Sequence, residues 1–425
     1  MKSIPEAENA AYDTLKRILS DGAYSSVELD RTLEHASENC RAKITALVYG
    51  VLDKSVTLDY VINKLTKKMP KTSLVILLKL GLYELLFGNI PAYAAVDKYV
   101  EIAKARMRGT EGFVNAVLRA GAKFELPSAA EDNAESLSVA YSRPIWLVRR
   151  LIDDLGCDRT RSVLSAKLPE MTHIRRNRRV IGETEFKVLI ESTGENIRSE
   201  RGYYVTRTTL KRLDPSIYTA QSLSSIYTAE AYTKDLSGDI RILDLCAAPG
   251  GKSVYMSELL PESKITACDV HSHRVNLIKA YSGRMKTTNV RALQWDAVKV
   301  RDEWKEQFDL VVCDVPCTGS GLLCSSPDIL LGKSDEDVLS LSVLQHKILE
   351  NAALYVKRGG RLAYSTCSLL KTENECVTDE FILTHPEYMP LTAEFGTGNE
   401  LNGTIRFYPD LHKCDGFYIA RFIKK

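Results

Sequence analysis

Between Arg241 and Ser365, five short apolar runs alternate with segments long enough to be crossover helices. The runs are Arg241 to Leu245, Ile265 to Cys268, Val290 to Gln294, Leu310 to Cys313 and Leu362 to Ser365. Few folds accept that pattern, and it predicts a doubly wound α/β domain with a largely parallel sheet. Upstream the period changes. From Tyr12 to Phe124 apolar residues recur at three- and four-residue spacing, as in Ala42, Leu47, Val51 and Leu52 or Leu77, Leu80, Leu85 and Leu86, which predicts an all-helical bundle. The segment Leu126 to Glu135, rich in Pro, Ser, Ala and acids, breaks the period. The expected order is a helical domain over 1–125, a linker over 126–138, a small basic α+β domain over 139–214 and the α/β domain over 215–425. At about 150 residues per domain, 425 residues allow that number.

Lys and Arg number 57 against 55 Asp and Glu, a net charge of +2, so a nucleic-acid surface has to arise from local clustering. Such a cluster exists. Across Met171 to Arg212 ten basic residues face five acidic ones, an excess of five, with Arg175, Arg176, Arg178 and Arg179 within five positions. A basic run is ordinarily a solvated face; here Tyr203, Tyr204 and short β-prone runs tip the reading toward an RNA-binding surface. No export signal is visible, and the longest apolar stretch, Leu74 to Phe87, is broken by Lys79 and Glu84. A cytoplasmic protein without membrane contact is expected. The ten cysteines lack a Cys-x-x-Cys pair, so they read as reduced thiols with no metal.

The run Asp244-Leu245-Cys246-Ala247-Ala248-Pro249-Gly250-Gly251-Lys252-Ser253 leaves the first apolar strand and opens a helix. Small residues and two glycines let a ligand approach the backbone, and a helix N-terminus favours a carboxylate or phosphate. The next strand ends in Asp269, where a carboxylate can take ribose hydroxyls, and the third strand is expected to end in Asp296, near an adenine position. A P-loop is the rival reading, because Gly251-Lys252-Ser253 and Asp309 to Asp314 imitate Walker A and B. A Walker A requires glycine at position 246, which is Cys246. A methyl-donor nucleoside such as S-adenosylmethionine fits the carboxylates better.

The fourth strand runs into Asp314-Val315-Pro316-Cys317-Thr318-Gly319-Ser320-Gly321 and the fifth into Ser365-Thr366-Cys367-Ser368. Strand ends four and five flank the crevice where substrate meets cofactor, so two thiols face one pocket. Buried cysteines are common core residues, but a pair at strand ends among small polar residues suits chemistry. Carbon 5 of cytosine is too weak a nucleophile to take a methyl group directly. A thiolate adding to carbon 6 converts the ring into an enamine-like nucleophile; a base then removes the carbon 5 proton and the thiol is eliminated. Asp314 is placed to hydrogen-bond the N3 and amino edge. Chemistry alone leaves open which cysteine attacks.

These motifs together resemble the RNA (cytosine-5) methyltransferases of the NOL1/NOP2/Sun group. The likeness rests on Asp244 to Ser253, the Pro-Cys motif at Cys317, the Thr-Cys motif at Cys367 and the closing strand pair at Asp415-Gly416-Phe417-Tyr418. The amino-terminal stretches Arg41 to Leu52, Gly81 to Leu85, Ile90 to Val96 and Phe113 to Arg119 resemble the NusB-like RNA-binding bundle of one branch, with Asn115 and Arg119 as polar contact candidates. The resemblance implies that Cys367 is the nucleophile, that Cys317 assists release, and that Asp314 and Lys252 complete the catalytic set. It places Cys246, Ala247, Ala248, Pro249, Gly250, Gly251, Lys252, Asp269, Asp296 and Asp314 around S-adenosylmethionine. The implied product is 5-methylcytosine in 16S rRNA, at the cytosine conventionally numbered 967, in naked RNA or an early assembly intermediate, with no obligate protein partner.

The chain departs from the group's pattern in three places. Cys324-Ser325-Ser326-Pro327-Asp328 stands where two arginines commonly precede Pro-Asp, removing two phosphate-reaching charges. Gln221-Ser222-Leu223-Ser224 replaces a Gln-Asp segment, and Ser253 replaces a threonine while keeping the hydroxyl. The competing expectations are another rRNA or tRNA cytosine as target, a non-catalytic RNA-binding adaptor and a P-loop NTPase. A thiolate must form at Cys367, so activity is expected to rise toward alkaline pH.

Overall fold

The computed structural model describes residues 5–326, 328–392 and 394–425 and divides into two compact units, 1–164 and 165–425. The first unit is helical. Seven helices from Glu6–Asp21 to Glu111–Gly121 bury Leu15, Leu47, Val51, Leu77, Leu80, Tyr99, Val114 and Leu118, so the three- and four-residue spacing marks the inward faces. An ion cluster lies among them: Glu8, 1% exposed, holds Lys98 at 2.7 Å, and Lys98 holds Glu84 at 2.9 Å. Burial works against the Glu8 carboxylate, but Lys43 and Lys98 outweigh it and its pKa falls.

The expected boundary at 139 differs from the one observed. Helices Ala134–Tyr141, Ile145–Leu155 and Cys157–Ser165 belong with the bundle. The Thr57 hydroxyl donates to the Val139 carbonyl at 2.6 Å, and Arg143 pairs with Asp53 at 3.0 Å. These helices carry amphipathic faces with Leu137, Leu147 and Leu151 fully buried, which is why they dock on other helices instead of joining a sheet. Asn115 is half-buried and Arg119 exposed.

The second unit begins with a four-stranded antiparallel sheet in the order β2-β3-β1-β4, from β1 (Thr172–Arg176), β2 (Asn196–Ser199), β3 (Gly202–Val205) and β4 (Tyr218–Ala220). Helix Glu183–Ser192 packs Phe186 and Ile190 against Ile174, Tyr203 and Val205. Because β4 closes this sheet, the small sheet continues past the expected end at 214. Tyr203 is a core residue here, 5% exposed and edge-on to Phe186, and not the exposed aromatic expected of it.

The large sheet contains parallel strands β5 (Arg241–Asp244), β6 (Lys264–Asp269), β7 (Val290–Gln294), β8 (Phe308–Asp314) and β9 (Val356–Thr366). Antiparallel β10 (Tyr388–Pro390), β11 (Asn399–Leu401), β12 (Thr404–Phe407) and β13 (Phe417–Lys424) complete it, in the order β11-β12-β13-β9-β8-β5-β6-β7 with β10 on β13. Alternation along the strands divides the core. Leu243, Val311, Cys313, Leu362 and Tyr364 face helices Asp335–Tyr355 and Glu375–Thr384, through Ile348, Ala352 and Phe381. Ile242, Leu310, Val312 and Ala363 face helices Leu223–Thr233 and Gly251–Leu259, through Ile226, Tyr232 and Met256. The strand order reverses between β5 and β8, and ligands of such sheets bind at the carboxyl ends of the strands there.

Candidate active site

Three strand ends meet at that reversal. The register pairs Asp244 of β5 with Val312 of β8, and Asp314 of β8 with Ser365 of β9. The loop after β5 then lies beside the loop that carries Cys317, which lies beside the loop that carries Cys367. Gly250 makes the turn into the helix with φ +108°, a left-handed conformation, and a Cβ there would sit 3.3 Å from the Ile278 backbone. Gly251 opens the helix Gly251–Leu259, and the next turn delivers Lys252 and Ser253 inward.

Lys252 Nζ lies 2.6 Å from Asp314 Oδ2 and 4.9 Å from the centre of the Phe417 ring. Burial works against the Lys252 ammonium, but Asp314 outweighs it and the proton is held more firmly than usual. The other Asp314 oxygen accepts from the Ser365 hydroxyl at 2.7 Å, and Ser365 is itself hydrogen-bonded to Tyr232. Asp314 is thus fixed on both oxygens. Cys317 Sγ and Cys367 Sγ are 3.2 Å apart, each half-buried. That is in contact, yet beyond the roughly 2.05 Å of a disulfide bond. The hydrogen bond with Cys367, followed by burial, pushes the Cys317 thiol well up.

A cavity opens between this cluster and the loop after β5. Asp244, Cys246, Ala247, Ala248, Pro249, Gly251, Lys252 and Asp314 line it, together with Gln221, Ser222, Ser225 and Tyr281. Asp244 is 2% exposed; one oxygen accepts from Ser253, while Oδ1 has no hydrogen-bond partner among the described residues. Burial raises its pKa to about 7, with the Ser253 hydrogen bond pulling the other way. Three expected ligands stand differently: Gly250 shapes the turn without lining the cavity, and two aspartates point elsewhere. Asp269 closes β6 with its carboxylate accepting from the His271 amide at 2.9 Å and facing Arg274 at 3.2 Å. Asp296 lies in the loop after β7, accepting from the Val298 amide at 3.2 Å. Neither lines the cavity as it stands.

Sequence reasoning missed several contributors. Gln221 bridges the sheets, accepting from Arg175 Nε at 2.7 Å and donating to the Gly251 carbonyl at 3.3 Å. Glu373, Gln345 and Asn374 surround the cysteine loops from behind. Of the basic run, Arg175 is 3% exposed and paired with Glu258 at 2.8 Å, and Arg179 donates to the Ser257 carbonyl and to Asn289. These two arginines are internal ties, not RNA-facing charges. Arg178 is exposed, and with Lys187 and Arg198 it lines a concavity beside Tyr255. In the altered segment, Cys324 Sγ lies 3.4 Å from the Ala166 carbonyl, and Pro327 lies outside the described residues.

The residues fit S-adenosylmethionine: glycine keeps the loop against the cavity, and a buried, unpartnered carboxylate oxygen awaits a donor such as an amino-acid ammonium. Fold and site therefore define a methyl-donor-dependent methyltransferase with a thiol pair beside the donor cavity. Comparison with known proteins makes this specific. Residues 231–423 match the family model described as 16S rRNA methyltransferase RsmB/F, and residues 6–123 match the NusB family. The probable ribosomal RNA small subunit methyltransferase B of Bacillus subtilis is 33% identical, covering 98% of each chain. Ribosomal RNA small subunit methyltransferase B of Erwinia tasmaniensis is 29% identical over the full length of both. Among solved structures, PH0851 superposes with a TM-score of 0.81 at 27% identity, covering 99% of each chain. NSun6 from Pyrococcus horikoshii, crystallised with the S-adenosylmethionine analogue SFG, shares the fold with a TM-score of 0.58 at 20% identity, covering 66% of this chain and 98% of that one. The chain belongs to the ribosomal RNA small subunit methyltransferase B family, and its cofactor is S-adenosylmethionine. Family membership decides against the adaptor and NTPase readings.

Proposed function

We propose that the protein methylates carbon 5 of a cytosine in small-subunit ribosomal RNA through a covalent adduct on Cys367. The carrying observation is the 3.2 Å thiol pair beside the Lys252–Asp314 pair at the mouth of the donor cavity. The Cys367 thiolate adds to carbon 6, and the electron pair moves through the ring toward N3 and O2. Asp314 accepts from the exocyclic amino group, and Lys252 is the cation nearest the developing charge. S-adenosylmethionine, held by the cavity residues, would supply an electrophilic methyl group, which carbon 5 takes as S-adenosylhomocysteine leaves. A base removes the carbon 5 proton, and the Cys367–carbon 6 bond breaks to return the thiolate.

The target assigned by resemblance is cytosine 967. Labelled methyl transfer to a naked small-subunit rRNA transcript, followed by bisulfite sequencing, tests it. One protected cytosine at that position is expected. A protected cytosine elsewhere, or in tRNA, moves the target and points to Cys324 to Ser326; no protected cytosine in any RNA overturns the reading.

On this reading the methyl donor's ammonium meets Asp244 Oδ1. Below pH 7 that carboxyl is protonated and neutral, and above it the charge is available. S-adenosylmethionine affinity is expected to tighten roughly eightfold from pH 6 to 7.5 in calorimetric titration, and to stay level in Asp244→Asn. A flat wild-type profile removes Asp244 from the binding set.

The small sheet domain is assigned to RNA through Arg178, Lys187 and Arg198, three of the exposed members of the basic cluster, which line one concavity. Replacing all three by alanine is expected to flatten the slope of log affinity against log salt by about 2 to 3, as for the loss of that number of phosphate contacts. An unchanged slope assigns the RNA path to another face.

A further inference from the structure

We infer that Glu373 is the positioning residue that fixes the distance between the two thiols. This rests on the proposed function for its consequence in catalysis, but the geometry stands by itself. Glu373 lies in a single turn after the Thr-Cys loop and is 0% exposed. Its Oε1 accepts from the Thr318 amide at 2.8 Å and from Gln345 Nε2 at 3.1 Å. Its Oε2 accepts from the Thr318 and Ser368 hydroxyls, each at 2.5 Å. One carboxylate therefore holds the residue that follows each cysteine.

The residues that precede the cysteines are held from the same side. Gln345 Nε2 also donates to the Pro316 carbonyl at 2.8 Å, just before Cys317. Asn374 accepts from the Thr366 hydroxyl at 2.5 Å, just before Cys367, and donates to the Ser368 carbonyl at 2.9 Å. The loops also meet directly, through the Gly321 amide and the Cys367 carbonyl at 2.8 Å. Burying a carboxylate costs stability unless its lone pairs are satisfied, and here four donors satisfy them. An apolar side chain at 373 would fill the space without tying the loops. What the carboxylate adds is a defined separation of two reactive sulfurs on loops that the sheet alone does not lock together.

The test reads that separation without relying on methylation. Diamide takes two electrons and two protons from a pair of adjacent thiols and leaves a disulfide, and peptide mapping reports the Cys317–Cys367 bridge. In Glu373→Ala the bridge is expected to close about tenfold more slowly than in wild type, and kcat for methyl transfer to fall about a hundredfold, with S-adenosylmethionine affinity unchanged. Glu373→Gln, whose amide accepts from the Thr318 amide and donates to the hydroxyls, is expected to bridge within about threefold of wild type. If Glu373→Ala does not fold, Ser368→Ala, which removes the tie to Glu373 together with the Ser320 and Leu370 contacts of the same hydroxyl, is expected to slow bridging to a lesser degree. Bridging at the wild-type rate in the folded alanine variant, or in Ser368→Ala, overturns the inference even if methyl transfer is intact. Slow bridging in an enzyme that methylates no cytosine supports it while the proposed function fails.

Discussion

Cys367→Ala is expected to lose methyl transfer by about 10^4-fold or more, the scale on which a covalent nucleophile is missed. Without the sulfur, carbon 5 of cytosine has no enamine-like state from which to attack, and neither Lys252 nor Asp314 supplies one. Binding is expected to survive, because Cys367 does not line the donor cavity and the loop after β5 is held by Gly250, Gly251 and the Ser253–Asp244 contact. Calorimetric titration with S-adenosylmethionine and gel-shift with the rRNA transcript separate the two effects. The structure makes the experiment discriminating, since the sulfurs are 3.2 Å apart and either is near enough to be the nucleophile. Were Cys317 the attacking residue, Cys317→Ala would be the inactive variant and Cys367→Ala would stall later. Substantial turnover by Cys367→Ala sinks the assignment.

The parallel sheet was legible because its strands are buried on both faces and read as short continuous apolar runs. Strand β9 is longer than the run Leu362 to Ser365, since its first half, with Lys357, Arg358 and Arg361, is polar and carries no such signal. The short strands β10, β11 and β12 pair at the sheet's far edge and were not anticipated, each having four residues or fewer. A basic run in sequence carries charge but no direction. In β1, Arg175 turns into the unit toward Glu258 and Tyr255, whereas Arg178, past the strand end, remains outside. The two cysteine motifs were legible as strand-end residues, but Glu373 lies 55 positions from Thr318 and 28 from Gln345, and only the fold brings them together. A usable signal existed: each catalytic candidate cysteine is followed by a hydroxyl residue, Thr318 or Ser368, and such a pair in a buried loop calls for a shared acceptor.

Cys317→Ala is expected to do the opposite of Cys367→Ala and accumulate a protein–RNA adduct that survives denaturing electrophoresis, up to one RNA per enzyme. The expectation follows from what raises the Cys317 thiol, whose first cause is the hydrogen bond with Cys367 and whose second is burial. While Cys367 is free, Cys317 keeps its proton. Once Cys367 is bonded to carbon 6 its sulfur is a neutral thioether, that cause disappears, and Cys317 can give its proton to solvent and take the one on carbon 5. On the proposed mechanism, release therefore needs the second thiol after attack and not before. With alanine there, elimination waits on water, and the adduct carries the transferred methyl group. Labelled methyl in the slow band identifies the stall as later than transfer, and the double variant, lacking the nucleophile, is expected to show no band. Raising the pH is expected to speed release in the wild-type enzyme, by favouring the Cys317 thiolate, and to leave the alanine variant stalled. A Cys317 variant that turns over at the wild-type rate would assign release to another base.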